Sequence, residues 1–510
     1  MKTIIKYSLI SLFCIAGSSC SDLLDKTVYG VTTYENFYKT EKEISEALTE
    51  CYYQTKGLYK TIVFIGDVTT DDALKGGSSD ADDPECFDLQ NFVVTADNDY
   101  ARTRWQSFYT IINRCNIVIE KAPEANGEPA LLERYVKEAK FLRAWSYYML
   151  VTTYGGVPVI TTTLSSEEYF IPRSTQEAVF EQIITDLRDA ANLPKRSEYD
   201  AGSMGRATSG AAWALMGKAF LFQNKYADAE EALKQIIESG EYELHKEFYS
   251  NFDYADRNGI ESIFEIQYKS GNGSNTGFAL TQWISRVNEG GWGFHLPTED
   301  LLSAFDIDDP RITYTFIRTG DRFVGDAYTQ NNSAATPYEF HDRKVFVSTT
   351  ERGSYVSDIS HNVAILRYAD VLLMYAEVLN ENGKSQEALT YLNKVRERAR
   401  NSNPVDAKRD IQVYIPETNP LSTLPDITVT DKVQLRVIIW EERRRELAME
   451  GLRRDDLVRQ KRFGDIMRAY ASTYNVEKGK LFKDSKDYLL PIHIDQILLS
   501  QGTLEQNPDY

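Results

Sequence analysis

The chain is poor in the side chains that carry most enzyme chemistry. Only five histidines occur in 510 residues, His245, His295, His341, His361 and His493. Their scatter makes each a surface or packing residue rather than a metal ligand or base. The five cysteines, Cys14, Cys20, Cys51, Cys86 and Cys115, include no Cys-x-x-Cys pair, which removes the close-paired zinc site. No Gly-x-Ser-x-Gly elbow, His-Glu-x-x-His helix, phosphate-cradling Gly-x-x-x-x-Gly-Lys loop or strand-borne Gly-x-Gly-x-x-Gly is present. No cofactor or metal is therefore expected, and no catalytic residue stands out. Basic charge is also in deficit: 57 Lys and Arg against 76 Asp and Glu leave a net charge of −19. Such a surface repels nucleic-acid phosphates and excludes attachment to anionic lipid through a basic patch. Beyond the N-terminus no window approaches eighteen apolar residues, so no helix long enough to span a bilayer is expected.

What is present is a globular composition, 42% hydrophobic and 26% charged, with aromatics in excess: 32 Tyr, 23 Phe and 6 Trp. Tyrosine leads, and tyrosine is the aromatic that sits half-wet at a binding surface. Residues 1–19 carry Lys2 and Lys6, a short apolar stretch from Tyr7 to Ala16, and small residues Gly17-Ser18-Ser19 before Cys20. This order is that of a bacterial lipoprotein signal, with Cys20 lipidated as the new N-terminus. Gly17 stands where Leu is usual. The odd set Cys51, Cys86 and Cys115 remains, which permits at most one disulfide and reads as buried thiols.

Apolar residues recur at helical spacing over 41–53, 100–121, 130–154, 174–192, 207–240, 366–400 and 432–463, so a mainly α fold is expected. Two segments read as tetratricopeptide-like helix pairs. In 207–240, Trp213, Met216, Gly217 and Phe220 face Ala229, Leu233 and Ile236; in 366–400, Leu372, Tyr375, Ala376 and Leu379 face Ala388, Leu392 and Val395. Their wide separation implies a discontinuous scaffold interrupted by long loop insertions at 66–100, 269–300 and 318–362. Minor β structure is expected at Ser262–Tyr268 and around Val345–Thr349.

Several blocks, in order, resemble the SusD/RagB family of outer-membrane nutrient-uptake lipoproteins. They are Leu24-Asp25, Asn36-Phe37-Tyr38, Phe141-Leu142-Arg143-Ala144 running to Tyr154-Gly155-Gly156-Val157-Pro158, and Gly205-Arg206-Ala207. Glu442-Arg443-Arg444-Arg445-Glu446-Leu447, Asp456-Leu457-Val458-Arg459 and the terminal Gln506-Asn507-Pro508 complete the match. His493 and Gln501-Gly502 depart from the family pattern. The resemblance covers 20–510 as a single SusD-like domain. It implies a lid on a SusC-like TonB-dependent transporter, a surface-exposed place on the cell outer membrane with lipid on Cys20, and no catalysis. By the residues alone, the mixed-charge run Glu442–Arg459 reads as an ion-pair network within the scaffold.

Sugar recognition requires flat aromatic faces flanked by carboxylate, amide and guanidinium groups. The stretch 269–300 supplies Trp283, Arg286, Asn288, Trp292 and Phe294, with Trp292 foremost. The family resemblance adds Asp71 and Asp72, from Thr70-Asp71-Asp72, and Phe87 in the other loop. A peptide ligand, a tetratricopeptide-type scaffold that binds only protein, and a glycoside hydrolase using two of the many carboxylates remain as alternatives.

Overall fold

The computed structural model describes residues 37–165, 167–271, 277–279, 291–318, 321–323, 340–352, 356–403, 409–411 and 424–510. Cys20, Trp283, Arg286 and Asn288 lie outside them.

Among the described residues, four long helices build the chain up to residue 190: α1 (Glu41–Gln54), α3 (Asp99–Lys121), α4 (Pro129–Tyr154) and α5 (Gln176–Ala190), with the short α2 (Pro84–Asn91) between α1 and α3. Side-chain caps fix where they start. Thr40 and Glu43 form a reciprocal capping box on α1, Asn98 accepts from two backbone amides of α3, and Thr175 caps α5. The apolar stripe of α3, including Trp105, Phe108, Ile111, Ile112 and Cys115, is buried against α1 and α4. Cys51, Cys86 and Cys115 are buried free thiols.

Each tetratricopeptide-like segment is a helix pair: α6 (Ser209–Phe222) with α7 (Tyr226–Ser239), and α8 (Tyr368–Glu381) with α9 (Ser385–Asn401). Gly217 shows why the small residues are needed, because a Cβ there would lie 2.5 Å from Leu233 Cδ2. Gly217→Val is therefore expected to destabilise the protein by about 1–3 kcal/mol, read as a lower denaturant midpoint at unchanged m-value. An unchanged midpoint would show that α6 and α7 separate at no cost.

The two pairs, distant in sequence, are brought side by side. Strand β2 (Ser262–Ile266), which follows α7, pairs antiparallel with β7 (Val363–Arg367), which leads directly into α8. At the other end the α8–α9 turn grips α7: Asn382 Nδ2 donates to Tyr226 O at 3.2 Å and to Glu230 at 2.7 Å. Three further two-stranded ladders join β1 (Ala73–Gly76) to β3 (Phe294–Pro297), β4 (Phe316–Arg318) to β6 (Phe340–Asp342), and β5 (Arg322–Phe323) to β8 (Arg409–Ile411). The strand expected around Val345–Thr349 is not formed. Val345–Val347 are buried in the irregular stretch after β6, and the short helix Thr349–Arg352 follows.

The periodic stretch 432–463 is two helices, α10 (Lys432–Glu446) and α11 (Arg453–Arg459), and α12 (Phe463–Tyr474) starts where it ends. Between α10 and α11 the backbone turns through left-handed Met449 (φ 64°) and Gly451 (φ 76°). Gly451 suits the left-handed φ, and a Cβ there would fall 2.8 Å from Ile62 Cγ2; on the facing segment Gly66 is required because its Cβ would fall 2.1 Å from Gly451 O.

The charges of α10 and α11 form a buried network. Glu446 meets Arg367 at 2.6 Å, Arg311 at 3.1 Å and also Arg398; Glu442 meets Arg396 at 2.6 Å and Arg311 at 2.8 Å; Arg443 meets Asp370 at 2.8 Å; Arg459 meets Glu377 at 2.6 Å. Burial alone would raise the Glu446 carboxyl, but Arg398, Arg367 and Arg311 together hold it down at about 2.

Candidate functional site

The β1–β3 ladder joins the two loops that sequence marks for ligand contact. Gly76 pairs with Phe294, and the Gly77 amide donates to Gly293 O at 2.9 Å, so the early part of 66–100 and the end of 269–300 form one wall. Beside this wall opens a cleft of about 670 Å³, lined by residues from the chain before α3, from α3 itself and from Gly291, Trp292 and Phe294.

Trp292 is 42% exposed at its edge, an aromatic side chain of the kind that covers the apolar side of a pyranose. Phe294 is 2% exposed and serves as floor, with Lys75 Nζ 5.4 Å from its ring centroid. Lys75 also pins the adjoining loop by donating to Ser79 O at 2.9 Å and Asp82 O at 2.5 Å. Opposite Trp292, Tyr100 OH donates to Asp83 Oδ2 at 2.6 Å, and Lys60 Nζ lies 3.6 Å from the same oxygen and 4.8 Å from the Tyr100 ring centroid. Burial holds the Lys60 ammonium below the usual lysine range even with Asp83 beside it. Burial, with Cys86 and Asp83 next to it, pushes the Tyr100 phenol far up, so it stays a neutral donor. Asp83 is itself fixed in the left-handed region (φ 56°), where its side chain caps α2 by accepting from the Cys86 amide at 3.2 Å. Asp82, Glu85, Asp99 and Thr103 complete a rim of hydrogen-bonding groups.

Under the cleft the packing is ordered by stacking. Phe64 lies parallel to Tyr100 on one side (5.8 Å, 16°) and to the His295 ring on the other (5.7 Å, 17°). His295, fully buried, bridges Asp67 (Nε2 to Oδ2, 3.1 Å) and Asp342 (Nδ1 to Oδ2, 3.2 Å).

Two expectations are corrected. Asp71 and Asp72 are 2% and 1% exposed and are claimed by arginines: Arg453 Nη2 and Nε donate to Asp71 at 2.8 and 2.9 Å, and Arg444 Nε donates to Asp72 at 2.7 Å. They belong to the scaffold network and offer a ligand no open face. Phe87 is half-buried on α2 and does not line the cleft. Sequence reasoning missed Lys60 and Tyr100 and noticed Asp83 only within the acidic run Asp80–Asp83; Asp83 and Tyr100 fall within the 66–100 insertion and Lys60 just before it. The expected loop 66–100 is also more structured than its Gly, Ser and Asp content implies, holding β1, α2 and the π-helical turn Phe64–Val68 at its start. Among the described residues no group of three His, Cys, Asp or Glu could hold a metal ion.

A discontinuous helical-repeat scaffold that holds an open, aromatic-edged cleft between insertion segments defines the class of this protein. Comparison with known proteins gives the family. One family model, described as the SusD family, matches residues 260–510, and a second, described as "Starch-binding associating with outer membrane", matches residues 24–221. The chain belongs to the SusD/RagB family. It is 26% identical to SusD-like protein P2 of Formosa agariphila over 98% of both chains, and 25% identical to a SusD-like protein of Bacteroides ovatus over 78% of this chain and 76% of the other. Among solved structures it is similar to a laminarin binding SusD-like protein (25% identity, TM-score 0.75, 93% of this chain and 100% of that one). Surface glycan-binding protein A from Bacteroides thetaiotaomicron, solved in complex with laminarihexaose, shares the fold at 23% identity and TM-score 0.75, over 92% of this chain and 100% of that one.

Proposed function

We propose that the protein is a non-catalytic, surface-exposed glycan-capture lipoprotein of the outer membrane. It is anchored through lipid on Cys20, holds an oligosaccharide in the Trp292 cleft, and passes it to a SusC-like TonB-dependent transporter. The observation that carries this reading is the cleft itself: a partly exposed tryptophan lining the same cleft as a fixed Lys60–Asp83–Tyr100 cluster. Its volume lies in the range of small-ligand sites, and a sugar meets both an apolar platform and converging hydrogen-bonding groups. Starch binding in the family description and laminarin or laminarihexaose in the titles of similar structures support a glycan as the ligand. Residues 20–510 act as one SusD-like domain. Trp283, Arg286 and Asn288, in the segment leading to Trp292, are proposed to add contacts to the same ligand.

The test is affinity electrophoresis of residues 21–510 against a panel of polysaccharides and peptides, followed by calorimetry, with Trp292→Ala alongside. Trp292 is exposed, so its loss is expected to leave the fold intact and to weaken glycan affinity by about tenfold or more. Binding to peptides alone, or glycan binding indifferent to Trp292→Ala, would overturn the assignment. Turnover of a bound glycan would make the protein a hydrolase instead.

A further inference from the structure

The exposed face of α3 carries an unusual run for so acidic a chain. Thr103, Gln106, Thr110 and Asn113, spaced by three and four residues, are all exposed and all uncharged hydrogen-bonding side chains. One end of this stripe, at Thr103, lines the Trp292 cleft. The rest runs into a second cleft of about 690 Å³, to which α3 gives Gln106, Tyr109, Thr110, Asn113, Arg114 and Ile117. From Thr103 to Ile117 the helix advances about 20 Å, so the two clefts are successive stations on one helical face.

The second cleft has the chemistry of a sugar site. Trp105, 4% exposed, forms its floor, with the Tyr109 ring 5.0 Å away and the Tyr109 hydroxyl committed to Pro158 O at 2.7 Å. Tyr169, 63% exposed, stands at the opposite rim as an open aromatic face, and Gln496 and Ser500 close the side. Among the described residues Arg114, with Glu50 3.6 Å away, is the only charged one lining it. Aromatic platform, amides and hydroxyls suit an uncharged polysaccharide and give little hold on a polyanion.

We propose that this groove is a second glycan subsite, which takes the uncharged stretch of a polysaccharide continuing along α3 from Trp292. The proposal rests on the capture reading above and adds a length requirement to it. Short oligosaccharides fill the first cleft alone, and polymers engage both, gaining affinity through effective concentration without a change at Trp292.

Native gels containing laminarin, amylopectin or galactomannan test this, with calorimetry on hexasaccharides of whichever polymer retards the protein. Tyr169→Ala and Gln106→Ala, both at exposed positions, are expected together to weaken polymer binding about tenfold while hexasaccharide affinity stays unchanged. Trp292→Ala weakens both. Unchanged polymer retardation in the Tyr169→Ala, Gln106→Ala protein overturns the second subsite and leaves the capture reading standing. No retardation of the wild-type protein by any of the three removes both. Loss of co-purification with the transporter, with polymer binding intact, overturns it in favour of a protein-docking groove.

Discussion

Glu446→Ala is expected to destabilise the protein by about 3–5 kcal/mol, a large part of the stability of an ordinary domain. The carboxylate is fully buried and faces three guanidinium groups, those of Arg311, Arg367 and Arg398. Removing it leaves cations that remain buried and face one another. Glu261 still meets Arg367 at 2.9 Å and Arg398 at 2.8 Å, and Glu442 still meets Arg311, so the network is wounded rather than emptied. The loss exceeds that of a single hydrogen bond because it is chiefly the cost of uncompensated charge in a low dielectric. The contrast is Lys42→Ala, which breaks an ion pair with side chains 85% and 54% exposed and is expected to change stability by less than about 0.5 kcal/mol. Urea denaturation of both variants reads the difference, and equal midpoints would show that the buried network contributes no more than a surface pair.

The network also shows where sequence reading stops. Mixed charges at helical spacing mark Glu442–Arg459 as an ion-pair block, and the small residues of 207–240 and 366–400 mark close helix packing, because both signals are local. The partners of Asp71 and Asp72 are not local: Arg453 and Arg444 lie 382 and 372 residues away, so a motif that looks solvent-facing is sealed by groups no window contains. The same limit hides the cleft. Strand β1 is four residues, Ala73–Gly76, without alternation, and only its pairing with β3 shows that the loops 66–100 and 269–300 share a wall. Trp292 was legible as an aromatic in a Gly-rich setting; Tyr100 was not, since from sequence it is one more residue of a helix start. The break between α10 and α11 escaped because the apolar period continues across it, while the turn is made by the left-handed backbone of Met449 and Gly451.

His295→Gln is expected to lower stability by about 3 kcal/mol more near pH 6 than at pH 9.5. Burial pulls the imidazolium down, but hydrogen bonds and charge from Asp342 and Asp67 outweigh it and lift its pKa from 6.5 to about 9. A base whose pKa is raised on folding contributes fully below its unfolded value, so this contribution is present below about pH 6.5 and lost as pH rises towards about 9. Lys478 works in the opposite sense over nearly the same range. Burial lowers its pKa from 10.5 to about 7, against the pull of Asp71 and Asp72, so its contribution grows as pH rises from about 7 to 10.5. The wild-type profile alone therefore conceals both groups, and the gap between wild type and variant isolates His295. Denaturation at pH 6, 7.5 and 9.5 measures that gap; a gap constant across the three would mean that His295 is neutral in the folded protein. The effect reaches the ligand as well. The gripped imidazolium is the lower layer of a stack in which Phe64 supports Tyr100, and Tyr100 holds Asp83 in the cleft. Glycan affinity of the wild-type protein is accordingly expected to fall between pH 7 and 9.5, and His295→Gln is expected to make that fall smaller, leaving the part that the Lys60 ammonium in the cleft contributes to both proteins.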